Sequence, residues 1–176
     1  MTVSADASSE FADAFTAHYP GVLAFATRRV GESDGEDVAA EVFARAWNAW
    51  HKAPRQAIRP WLFGIAHNLV VDTYRAKERR DRLQTRMSAQ RPSAPDDQLR
   101  LTEASVDIAR AWQQLSLSDR ETLALVAWDG LSQAEASAVL GCNRATYSVR
   151  LSRARKRLTS LLETTPNPAP SEGSSR

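Results

Sequence analysis

The chain has 176 residues, enough for one domain or two small ones, and its 43% hydrophobic content is sufficient for compact cores. With 23 basic and 21 acidic side chains the net charge is only +2, so overall charge singles out no partner, although its distribution is uneven. The single cysteine, Cys142, excludes an internal disulfide and suits a reducing cytoplasm; no apolar run approaches a membrane span, and no secretory signal is read at the start.

Strand signals are nearly absent, with no sustained period-two alternation and no Asn-Gly or Asp-Gly hairpin, so the chain reads as all-α. Residues 1–9 are expected to be a disordered N-terminus. A first helix follows, with Phe11, Phe15, Val22, Leu23 and Phe25 as its apolar positions. Ser33 and Glu36 form a capping-box pattern, predicting a second helix that runs to about His51. Val38, Val42, Ala46 and Ala49 share one side of it, and Phe43, Trp47 and Trp50 the neighbouring side. Asp37, Glu41 and Arg45 fall at successive i,i+4 positions on the outer face. Alone, they are most simply a solvated ion-pair row contributing a few tenths of a kcal/mol per pair.

A loop containing Pro54 leads into a third helix with Pro60 in its first turn. Trp61, Leu62, Ile65, Leu69 and Thr73 are expected to face inward. His67, Asn68, Val71, Asp72 and Arg75 take the other side, and the helix runs out into Lys77, Arg79, Arg80 and Arg82. Arginine and amide groups can read base edges and aromatic faces can stack unpaired bases, although Trp61 reads more simply as a core anchor than as a stacking platform. Residues 84–98, QTRMSAQRPSAPDDQ, carry two prolines and almost no apolar content, which describes an exposed linker. The expected architecture is therefore two small helical domains joined by a flexible linker: 10–83, a linker over 84–100, and 101–163, with a disordered tail over 164–176.

The second domain holds the most specific pattern. Ser132 with Glu135 is a capping box, so a helix should begin at about Gln133, and Gly141 suits the left-handed backbone of the sharp turn that ends it. In the next helix Tyr147, Leu151, Ala154, Leu158 and Leu162 recur at helical spacing and face a core. Arg144, Thr146 and Ser148 lie near its N-terminal end, and Arg150, Arg153, Arg155, Lys156 and Arg157 follow without one acid. Two helices joined by a glycine turn, the second rich in arginine, read as a helix-turn-helix whose second helix enters a DNA major groove. Catalysis is not expected. His18, His51 and His67 are far apart, no metal-ligand spacing or phosphate-binding glycine loop occurs, and neither metal nor cofactor is implied.

Taken in order, DGEDVAAEVFARAW, RPWLFGIAHNLVVDTYRAKERR, a proline-containing linker, LSLSDRETLALVAWDGLSQAEASAVLGC and RLSRARKRL closely resemble the extracytoplasmic-function (ECF) group of bacterial sigma-70 family sigma factors. The resemblance covers residues 11–162. It implies a dissociable specificity subunit of RNA polymerase. Region 2 would bind the β′ clamp coiled coil through Asp37, Glu41, Phe43, Arg45, Trp47 and Asn48. The −10 promoter element would be held by Trp61, Asn68, Asp72, Arg75, Lys77, Arg79 and Arg80, with unpaired bases captured partly by the loop 52–58. Region 4 would read the −35 element with Arg144, Thr146, Ser148, Arg150, Arg153, Arg155 and Lys156, and would touch the polymerase β flap.

The resemblance also implies promoter DNA as a partner, commonly an anti-sigma factor as a second, and no membrane insertion. Tyr147 stands where the family has a smaller aliphatic residue, and Ser148 where a base is frequent. A free-standing helix-turn-helix regulator is the rival reading; it explains only the C-terminal third. Promoter elements two helical turns apart lie about 70 Å apart. The fourteen residues 87–100 can extend to at most ~48 Å, and two domain widths would close the gap.

Overall fold

The computed structural model describes residues 5–85 and 103–164. Among these the chain is all helical and has no strand. The greater part of the expected linker and all but the first residue of the expected tail lie outside the described residues.

The first domain is built from α1 (Ala5–Val30), α2 (Glu32–Asn48), a short 3-10 turn (Trp50–Lys52) and α3 (Ile58–Thr85). Helix α1 reaches back to Ala5, into the segment expected to be disordered. Glu10 pairs with Arg55 at 3.1 Å, and Phe11 lies edge-on to the rings of Trp47 and Trp50, so the early turns of the helix have partners. The boundary between α1 and α2 also differs from expectation. Gly31, at φ 92°, donates to the Thr27 carbonyl at 3.0 Å and so closes α1, while its own carbonyl accepts from Gly35 and opens α2. The helix therefore starts at Glu32 without a side-chain cap, and Ser33 lies inside its first turn. Glycine's freedom in the left-handed region makes this one-residue reversal possible and removes the need for a serine cap.

Helix α2 stops at Asn48, three residues short of the expected end, and the 3-10 turn buries Trp50. Val22, Phe25, Val42, Phe43, Leu62, Phe63 and Val70 form the centre of the first core. Gly35 sits where α2 touches α1. A Cβ there would lie 2.7 Å from the Thr27 Cα and 2.8 Å from its nitrogen.

The second domain comprises α4 (Glu103–Gln114), α5 (Leu117–Ala127), α6 (Gln133–Val139) and α7 (Arg144–Thr164). Its helix starts follow the side-chain chemistry. Ser116 caps α5, accepting from the Asp119 N–H. Ser132 and Glu135 form the reciprocal capping box of α6. Asn143 caps α7 by accepting from the Thr146 N–H at 2.7 Å. Gly130 and Gly141, both at φ 61°, make the turns before and after α6. Leu125, Leu131, Val139, Tyr147, Leu151 and Ala154 fill the core. The stripe on α7 thus packs as its spacing predicts, with Leu158 and Leu162 half-buried.

The two domains are not held apart. Helix α6 lies along the N-terminal half of α3, and arginines from α1 and α3 reach the end of α5 and the turn beyond it. In this arrangement the domains are docked face to face.

Candidate nucleic-acid and polymerase surfaces

On α2 the outer row stands in solvent. Asp37, Glu41, Arg45 and Asn48 are exposed, and Arg45 donates to Glu41 at 2.7 Å. Trp47 is 37% exposed, enough to leave one edge free while the other packs on Phe11. Phe43 is a correction. Expected to be a contact residue, it is 5% exposed and enclosed by Phe11, Phe15 and Tyr19. Its position on α2 turns it toward α1, so it supports the surface from beneath.

On α3, Asn68, Asp72, Arg75, Lys77, Arg79 and Arg80 are all exposed. Arg75 and Asp72 approach only to 3.7 Å, both well solvated, so the arginine is held loosely. Trp61 is half-buried, its ring 6.3 Å from that of Trp50, so it is part core and part surface. In the preceding loop the Arg55 guanidinium lies 4.5 Å over the Trp50 ring. His67, expected on the solvent side, is half-buried instead. Its Nδ1 lies 3.3 Å from the Glu121 carboxylate of the other domain.

On α7, Arg144, Ser148, Arg150, Arg153, Arg155 and Lys156 are exposed and Thr146 is half-buried beside the cap. The buried stripe turns these bases outward together. Arg157 points elsewhere: it donates to Asp119 at 2.6 Å, tying α7 to the start of α5. Burial works to raise the Asp119 carboxyl, but the Ser116 hydroxyl and Arg157 outweigh it and hold it below the usual range. Tyr147 is fully buried and donates its hydroxyl to the Thr122 carbonyl at 2.7 Å. Burial is the main reason its pKa is pushed up to about 12.

Sequence reasoning missed the residues that join the domains. The Asp129 side chain is fully enclosed, with Arg28 on one carboxylate oxygen and Arg29 on the other at 2.8 Å. Arg29 also donates to Glu121 at 2.9 Å, and Tyr74 donates to the Arg29 carbonyl. Arg59 donates to the Asp129 carbonyl at 2.9 Å and the Gly130 carbonyl at 3.2 Å, and lies 3.4 Å from Glu135. These carbonyls lie just past the end of α5, where the helix dipole favours a cation. Burial opposes ionisation of Glu121, yet the adjacent His67 imidazole and the charge of Arg29 keep the carboxyl below its ordinary range. A cleft of ≈ 460 Å³ opens along this seam, with Arg28, His67, Tyr74, Trp112, Trp128 and Arg150 among its walls. The Trp112 and Trp128 rings are 4.3 Å apart at its rim.

The family model for sigma-70 region 2 matches residues 14–80, and that for sigma-70 region 4 matches residues 105–158. The RNA polymerase sigma factor CnrH of Cupriavidus metallidurans is 32% identical over 154 residues, spanning 80% of this chain and 81% of the relative. The ECF RNA polymerase sigma factor SigC of Mycobacterium tuberculosis is 34% identical over 130 residues, 73% of this chain and 69% of the relative. Among solved structures, the sigma factor RpoE of Bartonella quintana, in complex with the anti-sigma factor NepR, superposes with a TM-score of 0.67 at 25% identity. That match covers 89% of this chain and 99% of the other. CnrH in complex with the cytosolic domain of CnrY gives a TM-score of 0.63 at 27% identity, covering 90% and 91%. Both matched regions occur in order along one chain, with relatives aligned over most of their length; the protein belongs to the sigma-70 family of RNA polymerase sigma factors, in its ECF group.

Proposed function

We propose that this sigma factor divides its work among three exposed helix faces, each on a different element. Asp37, Glu41, Arg45, Trp47 and Asn48 of α2 dock on the polymerase β′ clamp coiled coil. Asn68, Asp72, Arg75, Lys77, Arg79 and Arg80 of α3, with the exposed part of Trp61 and the loop 52–58, hold the −10 element. Arg144, Thr146, Ser148, Arg150, Arg153, Arg155 and Lys156 of α7 enter the −35 major groove, while the same domain meets the β flap. The observation that carries the reading is the two-sidedness of α7. Tyr147, Leu151 and Ala154 are buried while Arg144, Arg150, Arg153 and Arg155 all stand in solvent.

Opening the promoter then needs no catalysis. Unstacking a base costs a few kcal/mol, and capturing it on an aromatic or in a pocket returns about 1–3 kcal/mol. The protein therefore shifts an opening equilibrium by binding the strand that appears. We further propose a cytoplasmic site of action. An anti-sigma factor is a partner consistent with the two solved relatives, each of which is in complex with one. No helix among the described residues is long and apolar enough to cross a membrane. The rival helix-turn-helix regulator leaves the match at residues 14–80 without a role.

The test is reconstituted transcription. Core polymerase with the purified chain is expected to initiate at a defined start, and with core polymerase alone the start is lost. Specific operator binding by the chain, with no effect on where polymerase starts, would favour the regulator instead.

A further inference from the structure

Trp50 lies just before the loop 52–58, yet its ring is only 4% exposed and leaves almost no surface on which a base could stack. Phe11 stands edge-on to it with centroids 5.1 Å apart, the Trp61 ring is 6.3 Å away, and the Arg55 guanidinium lies 4.5 Å over it. The indole nitrogen is buried without an acceptor, so packing and the Arg55 cation hold the ring in place. The Arg55 side chain, by contrast, is 46% exposed. A base arriving from solvent on this side meets the guanidinium before it meets the indole.

Arg55 is itself held from α1. Its Nη1 lies 3.1 Å from the Glu10 carboxylate, and the pair is open to water. Such a pair contributes little to stability, but it restricts where the guanidinium can lie. That restriction matters because a long side chain loses rotamer freedom when a ligand fixes it, and affinity falls accordingly. Glu10 and Trp50 impose the ordering before DNA arrives. With its charge offset by Glu10, Arg55 draws phosphate weakly, while its plane still stacks on an aromatic base.

We infer that Glu10 is a positioning residue for capture of the −10 strand: it holds Arg55 over Trp50, and an unpaired base stacks on the guanidinium. The inference rests on the sigma-factor reading of the loop 52–58. Every base has a π face, so this stack tolerates any sequence. It keeps the strand out of the duplex and leaves the reading of bases to other residues.

The experiment uses holoenzyme reconstituted from core polymerase and the full chain. Its probe is fork-junction DNA from a start mapped by reconstituted transcription, with an abasic site at each unpaired −10 position in turn. Wild type is expected to lose affinity about fivefold or more at the position where the base meets Arg55, and exchanging that base for another should change little. Arg55→Lys keeps the charge and removes the planar group. It should weaken binding by a similar factor with an unchanged salt slope, and the abasic site should then cost nothing further. Glu10→Gln should weaken binding about two- to fivefold, and should have no effect in an Arg55→Ala background. A purely electrostatic role for Glu10 predicts the opposite sign, since removing an acid near DNA strengthens binding. Circular dichroism melts check that each variant folds.

Three results would each overturn the proposal. One is an abasic loss that Arg55→Lys leaves intact at every position. Another is a Glu10→Gln holoenzyme that binds the fork as well as wild type or better. The third is a salt slope made shallower by about 0.7 in Arg55→Ala, which marks a phosphate contact. If wild type initiates at no defined start, the sigma-factor reading itself fails. The chain alone, titrated with a single-stranded dT oligonucleotide with and without an abasic site, then decides whether Arg55 and Glu10 govern stacking.

Discussion

The hydroxyl of Tyr147 donates to the main-chain oxygen of Thr122 at 2.7 Å, and in so doing joins α7 to α5. No solvent reaches the ring. Tyr147→Phe keeps the packing and loses the bond, so it is expected to destabilise region 4 by about 0.5–1.5 kcal/mol. Urea unfolding with circular dichroism measures this. A variant as stable as wild type would mean that the hydroxyl contributes only shape.

Phe43, buried, and Glu41, exposed on the other side of α2, should separate stability from binding. Phe43→Ala empties a buried site among Phe11, Phe15 and Tyr19 and is expected to cost about 3–5 kcal/mol of stability. Glu41→Lys, on the exposed face, should leave the melting temperature within a degree or two of wild type and weaken association with core polymerase. Native gel or fluorescence titration against core polymerase distinguishes the two.

DNA affinity should depend on salt through α7. Removing a side chain that neutralises one phosphate makes the slope of log K against log salt shallower by about 0.9. Arg153→Ala and Arg155→Ala, measured singly on a −35 duplex, are each expected to reduce the slope by about that amount if both side chains touch phosphate. A variant that relaxes sequence preference without altering the slope points instead to an arginine that reads a base edge.

Acid should weaken the protein in two stages. Burial and the nearby Arg59 hold the His18 pKa below 6.5, so the unfolded chain takes up this proton first. The corresponding stability is present above pH 6.5 and is lost as pH falls below it. Asp119, Glu121 and Glu135 are each depressed despite the opposing effect of burial: Ser116 and Arg157 act on Asp119, His67 and Arg29 on Glu121, and Ser132 and Arg59 on Glu135. Their contribution is present above the ordinary carboxylate values of 3.8 and 4.5 and disappears as pH falls through the lower folded values. Urea midpoints at pH 8, 6, 5 and 3.5 should fall monotonically, and His18→Gln should flatten the first stage alone.

Gly35→Ala places a methyl group against the Thr27 backbone, inside normal contact distance. Backbone cannot swing aside as a flexible side-chain end can, so the cost should be about 1–3 kcal/mol. Ser33→Ala, close by in the first turn and exposed without a capping role, should change little.

The helix-turn-helix was legible because its signals are local. The Ser132–Glu135 box, the glycine turn and the stripe from Tyr147 to Leu162 each fix a few adjacent residues. The start of α2 was misread because Ser33 and Glu36 match a capping box in spacing, whereas Gly31 ends one helix and begins the next without one. Phe43 was assigned to the polymerase surface by resemblance alone; its burial comes from Phe11, Phe15 and Tyr19 on α1, which the spacing along α2 does not reveal. Asp129 was invisible for a deeper reason. Its partners lie about a hundred positions away, and nothing in the run WDG distinguishes a clasped carboxylate from a turn former.

The close crossing at Gly35 has a mechanical corollary. With no side chain on Gly35, α2 lies directly against Thr27 of α1, and both helices also pack on α3. On the proposed assignment of faces, a polymerase holding α2 would also fix how α3 is presented to the duplex, because the two helices pack on one another.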